Sequence, residues 1–309
     1  DASNSNVNVF TDPYGNIRYR GANPNNYIYF NCSDTENQNS STCEVWRIIG
    51  IVNDTDTTNS EDKRYVKIMR QASIGSWPWD NSTTEHAYGS NNWPTSRLMK
   101  LLNPGYTSET VGGSLYYNQQ SGTCYSGQSN ATTTTGCDFR TSSGTKGLYS
   151  SAKGLIQPIN WGLGGWNTSI VTASTMYEKE RGDTKYGSHA TVWENGYVGL
   201  MYPSDYGYSA NNSCSTNTIL GWNESSDYRV TCKDTSWIYE IFSSNNRESL
   251  LNPITSGGFA TFTIVIQGFV SGAPGYIASS VYPVVHLKSN IQVTGGTGES
   301  SSPYRLIQS

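Results

Sequence analysis

Short apolar runs separated by long polar stretches set the pattern of this chain. Runs that are β-branched or aromatic and bounded by turn residues predict strands over 27–31, 45–52, 65–70, 197–202, 262–270 and 281–287. The run "VWRIIGIV" is almost continuously apolar, which predicts a central strand covered on both faces. Helical patterns are few and short. "TSRLMKLLNPG" offers Thr95 or Ser96 as N-cap, sets Leu98, Leu101 and Leu102 on one face, and stops at Pro104 and Gly105. "TASTMYEKERG" predicts a second short helix ending at Gly182, and "SWIYEIF" a third over 236–242. Short helices among antiparallel strands and long loops predict an α+β, β-rich fold. No fixed period recurs, which excludes a solenoid. Residues 1–20 read as a polar N-terminal extension and 21–309 as a single domain.

Composition strengthens the β-rich reading. Charged residues make up 14% of the 309, far below the roughly 25% of an ordinary domain. Twenty-two Tyr and 31 Gly fill the gap with Asn, Ser and Thr tracts, a mixture that suits pleated surfaces better than helices. The net charge of -4 and scattered basic residues exclude an electrostatic footprint for nucleic acid. The chain starts at Asp1, and no apolar run approaches the roughly 18 residues of a membrane span, so a processed form without leader or anchor is expected.

Six cysteines fall into three sequence-local pairs, Cys32 with Cys43, Cys124 with Cys137 and Cys214 with Cys232. Each pair brackets a polar loop, so three structural disulfides and an oxidising, extracellular compartment are expected. No C-x-x-C or Cys/His spacing suits zinc, and His86, His189 and His286 lie far apart in sequence. The acidic stretch at 53–62 lacks the rest of a calcium-loop pattern and reads as a solvated hairpin loop. No metal and no cofactor are expected. Sequons at Asn31, Asn39, Asn53, Asn81, Asn130, Asn167, Asn211 and Asn223 mark surface loops, in a chain whose composition generates them by chance.

No catalytic residue is assigned. Asp183, Glu194 and Asp205 could supply paired carboxylates, but nothing pairs them, and turn duty is the simpler reading of Asp205, as a cap at Gly207. Neither a G-x-S-x-G elbow nor a phosphate loop occurs, and "GGTGESSSP" reads as a hairpin. Flat aromatic faces bind sugars by stacking, and Trp77, Trp79, Trp161, Trp166, Tyr202, Tyr206 and Tyr208 are the candidates for such a ligand site. Against that stands the shortage of Phe, seven in the whole chain, which obliges Trp and Tyr to fill the core. The stretch "YVGLMYPSDYGYS" then reads as a strand followed by a structural tyrosine-lined turn, and Trp46 and Trp237 as buried.

The order of motifs "GANPNNYIYFN", "WRIIGIV", "KRYVKIMRQASIGSWPWDN", "NNWPTSRLMKLLN", "LIQPINWGLGG", "YEKERG", "YVGLMYPSDYGYS", "SWIYEIF" and "VYPVVHLKSNIQVTGGTGESSSPYRL" resembles a family of uncharacterised exported surface domains of gut-associated Gram-positive bacteria, some of them pilin-like. A weaker resemblance, in the closing pattern, is to C-type-lectin-like domains, the scaffold shared with formylglycine-generating enzymes. The chain departs from the surface family at Tyr282, Pro283 and Val284, where relatives usually read Arg-Pro-Val, and at "SLLNP" over 249–253. Nothing after Cys232 matches the cysteines of the formylglycine-generating enzymes, so no catalytic residue carries over. The resemblance implies a non-enzymatic structural or adhesive protein of the bacterial cell surface, a self-associating subunit of a pilus-like filament. The alternative is a carbohydrate-binding C-type-lectin-like module whose partners are glycans. In the filament reading, the alternating "VNVF" at 7–10 acts as an edge strand that pairs with the terminal "YRLI" at 304–307 or with a neighbouring chain.

Overall fold

A computed structural model describes residues 8–54, 64–83, 89–104, 113–128, 131–140, 147–166, 172–185, 189–211, 214, 232–242, 247–254, 261–266 and 268–308. The fold is α+β and β-rich, built on two larger sheets, the first antiparallel and the second antiparallel except where β14 runs parallel to β11, with several short helices. The first sheet centres on β4 (Glu44–Val52), as its apolar run predicts. One side of β4 carries β2 (Ile17–Tyr19) and β3 (Tyr27–Phe30) end to end; the other carries β5 (Tyr65–Arg70), followed by β15 (Val284–Leu287). Outside β2 lies β1 (Val9–Thr11). The N-terminal residues from Val9 to Tyr19 are therefore part of the main sheet rather than an extension from it, and Arg18 is buried there.

The second sheet has the order β13 (Phe269–Pro274), β12 (Thr261–Ile266), β11 (Arg247–Ile254), β14 (Ala278–Ser280) and β6 (Ser76–Pro78). Three two-stranded sheets complete the set: β7 (Ser121–Tyr125) with β8 (Thr134–Asp138), β9 (Ile159–Gly162) with β10 (Val192–Gly196), and β16 (Ile291–Gly295) with β17 (Arg305–Gln308). Helices α1 (Arg97–Leu102), α2 (Leu115–Asn118), α3 (Ser150–Leu155), α4 (Ala173–Glu180), α5 (Pro203–Tyr208) and α6 (Trp237–Ile241) are short. The three predicted helices are α1, α4 and α6. Ser96, Thr172 and Ser236 cap them by accepting from the backbone N–H groups of Met99, Thr175 and Tyr239.

Four expectations need correction. The strand expected over 262–270 is a hairpin, because Gly268 at φ +86° turns the chain between β12 and β13. The strand expected over 281–287 is divided by Pro283, which has no N–H to donate, and only β15 continues. Residues 197–202 lie after β10 and are held without a ladder. Val198 exchanges both backbone groups with the side-chain amide of Asn103 at 2.8 Å, and Gly199 exchanges two bonds with Val284 at 3.0 Å. Finally, the two terminal segments do not pair with each other: β1 pairs with β2 and β17 with β16.

All three expected disulfides form, Cys32–Cys43, Cys124–Cys137 and Cys214–Cys232. They are compatible with an extracellular protein. Among the described residues no helix is long and apolar enough to cross a membrane. Sequon asparagines are less uniformly superficial than expected. Asn31 and Asn81 are buried, Asn31 donating to Gly147 O and accepting from Tyr149 N, Asn81 accepting from Arg97. Asn39 and Asn211 are exposed, while Asn130, Asn167 and Asn223 lie outside the described residues.

Candidate functional site

Register across the first sheet brings charged residues into one row. Arg18 on β2 is opposite Gly50 on β4, Gly50 is opposite Lys67 on β5, and Lys67 is opposite His286 on β15. Residues directly opposite share a face, and Gly50, lacking a side chain, leaves space between the two cations. Into that space comes Asp205, from the first turn of α5. Its Oδ1 accepts from Arg18 at 2.7 Å and its Oδ2 from Lys67 at 2.6 Å, while Oδ2 also accepts from the Tyr202 N–H at 3.0 Å. Asp205 is thus an N-terminal helix cap and an ion-pair partner, rather than a cap at Gly207.

Asp54, two residues beyond β4, extends the cluster. It accepts from Lys67 at 2.6 Å, from Arg181 at the end of α4, and bonds His286 Nε2 at 3.0 Å. On the other flank Asp12 accepts from Arg18 at 2.6 Å. Arg181 also donates to Glu180 at 3.0 Å, and Glu180 in turn accepts from the backbone N–H and hydroxyl of Ser204 at 2.7 and 2.5 Å. These side chains are almost wholly buried. Charge balance makes that tolerable: Asp12, Asp54 and Asp205 oppose Arg18, Lys67 and Arg181.

Titration follows from the geometry. Burial alone would raise Asp54, yet Lys67 and Arg181 hold its carboxyl well below the usual range; burial likewise opposes Asp205, which Lys67 and Arg18 hold down. Burial pushes Glu180 up to about 7, the adjacent Arg181 and Ser204 offsetting only part of the effect. Burial lowers His286, which favours the neutral ring beside Lys67. Outside the cluster, Glu248 on β11 is pushed by burial to about 8, and no cation among the described residues offsets it.

Two tyrosines of "YVGLMYPSDYGYS", Tyr202 and Tyr208, line this cluster together with Tyr177. Lys67 Nζ lies 4.2 Å from the Tyr202 ring centre, Arg18 sits 4.9 Å over Tyr208, and Arg181 lies 4.9 Å from Tyr202 and 3.5 Å from Tyr177. The negative ring faces attract these cations where water is excluded. Arg18 Nη2, Arg181 Nε, His286 Nδ1 and the hydroxyls of Tyr202 and Tyr208 are buried with no hydrogen-bond partner among the described residues. The site is therefore rich in charge but closed, a junction of the N-terminal hairpin, the first sheet, α4 and α5.

The proposed ligand-stacking residues do not form an open groove. Trp79, Trp161, Trp166, Tyr202, Tyr206 and Tyr208 are buried, and Trp77 is half-buried. Trp161 donates to Gly196 O at 3.0 Å and stands edge-on to His286, and Tyr206 donates to Gly268 O at 2.8 Å. A ring sealed on both faces cannot stack on a sugar, so the six buried positions are core, as are Trp46 and Trp237, while Trp77 lines a small pocket with Pro78, Arg97 and Tyr125. Asp183 and Glu194 are exposed and Asp205 is buried, so the three acids do not converge. His189 is buried, and His86 lies outside the described residues. Asp54 faces inward from the stretch at 53–62, most of which lies outside the described residues. Among the described residues no group of three or more His, Cys, Asp or Glu could hold a metal ion.

No local pattern marks Arg18, Lys67, Asp54, Glu180 or Arg181 as partners, and His286 stands out in the sequence only as a histidine too isolated to bind zinc. A signal existed: Lys67 and His286 interrupt the apolar strands "YVKIMR" and "VVHL" at positions that must face inward.

An open cleft of about 900 Å³ lies elsewhere, between the Cys32–Cys43 loop, α3 and the β16–β17 hairpin. Glu36, Asn37, Gln38 and Asn39 line one side, and Arg305, Leu306 and Ile307 the other. Across its floor the Gln38 amide bonds both backbone groups of Leu306, accepting from its N–H at 3.0 Å and donating to its carbonyl. Gln38 thus occupies the place of a neighbouring strand.

No known family model matches the chain, and neither a curated protein nor a solved structure is significantly similar to it. The resemblance to exported surface domains rests on its motifs alone.

Proposed function

We propose that this chain is a non-enzymatic structural or adhesive domain of the bacterial cell surface that works by self-association, as a subunit of a pilus-like filament. The observation that carries this reading is the division of chemistry between inside and outside. Among the described residues the densest cluster of ionisable groups is closed and spent on internal ion pairs, whereas the terminal hairpin exposes Val293 on one face and Ile307 on the other, Ile307 lining the open cleft. Three disulfides stapling polar loops suit a protein that must survive outside the cell.

The second reading, a carbohydrate-binding module, is favoured by the cleft alone. Its amides and Arg305 could bond hydroxyls, but no aromatic ring is among its lining residues to stack on a sugar. Light scattering and negative-stain imaging of the oxidised chain over a concentration series test the proposal. Assembled species that grow with concentration are expected. A strict monomer at every concentration would overturn self-association, and a monomer that binds a glycan array would favour the module.

A further inference from the structure

We propose that the closed cluster holds one proton, carried between the Glu180 carboxyl and Ser204 Oγ, and that this proton clasps the end of α4 to the first turn of α5, a joint that loosens when the proton leaves. The clasp stands apart from the self-association reading and does not depend on it.

Charge balance calls for the proton. Asp12, Asp54, Asp205 and Glu180 are the carboxyls of the cluster, and Arg18, Lys67 and Arg181 are its cations. Tyr177, Tyr202 and Tyr208 stand among them, and burial raises all three, which keeps their hydroxyls neutral. Glu178, on the outer side of α4, is exposed and lies outside the cluster. Four carboxylates against three cations would leave one negative charge uncompensated where water is excluded, and that is costly. Asp54 and Asp205 each bond two cations, and Asp12 accepts from Arg18, Tyr14 and Asn16. Glu180 and His286 are left to take a proton.

Geometry decides between them. His286 Nε2 lies 3.0 Å from Asp54 and carries the hydrogen of that bond, while a second hydrogen, on Nδ1, would find no partner among the described residues. Glu180 Oε2 lies 2.5 Å from Ser204 Oγ, and a hydroxyl that donates to an ionised carboxylate can accept from a protonated one. Either placement makes the cluster neutral. A proton on His286, however, buries an imidazolium and a fourth carboxylate, two charges more than a proton on Glu180. The proton therefore rests on Glu180, in keeping with the rise of that carboxyl to about 7 on burial.

The bond sits at a joint. Glu180 ends α4, and Ser204 stands in the first turn of α5, its N–H also donating to Glu180 at 2.7 Å. The next residue, Asp205, ties α5 to Arg18 and Lys67. Once Glu180 ionises, an opening of the joint that lets it reach water relieves the surplus charge. Because the closed value is about 7 and the ordinary one 4.5, the clasp is tightest below 4.5, weakens about tenfold per pH unit up to 7 and changes little above. Tyr14 of the N-terminal hairpin bonds Ser174 O and Glu178 on α4, so the hairpin is coupled to the same joint.

The full oxidised chain and its Glu180→Gln variant test the clasp. Glutamine cannot ionise, and Arg181 keeps Asp54. The infrared difference between the two proteins at pH 5 should contain the carbonyl band of one protonated carboxyl, fading as pH rises through about 7; a difference without that band would overturn the placement of the proton. Nitrogen-15 NMR of the wild type alone should show a neutral His286 ring with its hydrogen on Nε2 at pH 6, and an imidazolium there would overturn the proposal even if the variant fails to fold. Hydrogen exchange reads the joint. The opening constant of the last turn of α4, wild type relative to variant, should rise by roughly 50- to 100-fold between pH 5 and 8, and a ratio that stays flat would overturn the clasp.

Discussion

Replacing Lys67 by Met tests whether the buried charge row holds the fold together. Lys67 Nζ is 2.6 Å from both Asp54 and Asp205, and it lies 4.2 Å from the centre of the Tyr202 ring. Methionine keeps much of the side-chain volume and removes the charge. Asp54 keeps Arg181 and His286, and Asp205 keeps Arg18, so neither carboxylate is stranded. Breaking a buried pair from one side costs about 3–5 kcal/mol, and the retained partners place this case near the lower end, about 3 kcal/mol. At roughly 2–4 °C per kcal/mol for a chain of this order of size, the melting temperature should fall by about 6–12 °C.

The pH dependence should shift with it. Asp54 and Asp205 are held below their unfolded value near 4, so their contribution is complete above that pH and is lost as pH falls through the folded values. Without Lys67 both carboxyls return toward the ordinary range, and acid unfolding should begin at a higher pH than in the wild type. Tryptophan fluorescence in urea at neutral pH and in an acid titration reads both effects, since Trp161 is 5.6 Å from Lys67. A loss below about 1 kcal/mol, the worth of an exposed pair, with an unmoved acid transition would refute the role given to the row.

Glu248→Gln should act in the opposite direction. The folded state keeps the Glu248 proton up to a pKa of about 8 while the unfolded chain releases it near 4.5, so the wild type loses stability as pH rises between those values. The variant should be more stable at pH 8 and flatter across the window in urea midpoints; an equal slope in both proteins would count against a buried, protonated Glu248. Gly50→Ala should cost about 3 kcal/mol, because its Cβ would stand 2.2 Å from the Ile17 carbonyl oxygen and push β2 off β4; unchanged thermal stability would contradict this packing. Non-reducing peptide mapping should find Cys32–Cys43, Cys124–Cys137 and Cys214–Cys232 and no free thiol. Removing one pair should cost about 2–4 kcal/mol in thermal or urea unfolding, and cross-linked peptides in any other pairing would contradict the three loops.

By itself the sequence determined the elements whose signals are local. An apolar run fixed β4 as a central strand, serine and threonine caps fixed the starts of α1, α4 and α6, and cysteine spacing fixed three stapled loops. The scarcity of Phe correctly assigned most tryptophans to the core, because some large side chains had to fill it. What only the tertiary structure decided is which polar residues meet. Arg18 and Asp205 are separated by 187 positions and His286 and Asp54 by 232, and no local pattern encodes such partners. Register across β2, β4, β5 and β15 aligns Arg18, Lys67 and His286 on one face, and the missing side chain of Gly50 admits Asp205. The same dependence on register explains the misplaced strand at 197–202. Its backbone groups go to the Asn103 amide and, at Gly199 alone, to Val284 at the start of β15, too little to make a ladder, and strand pairing is a property of neighbours rather than of the segment itself.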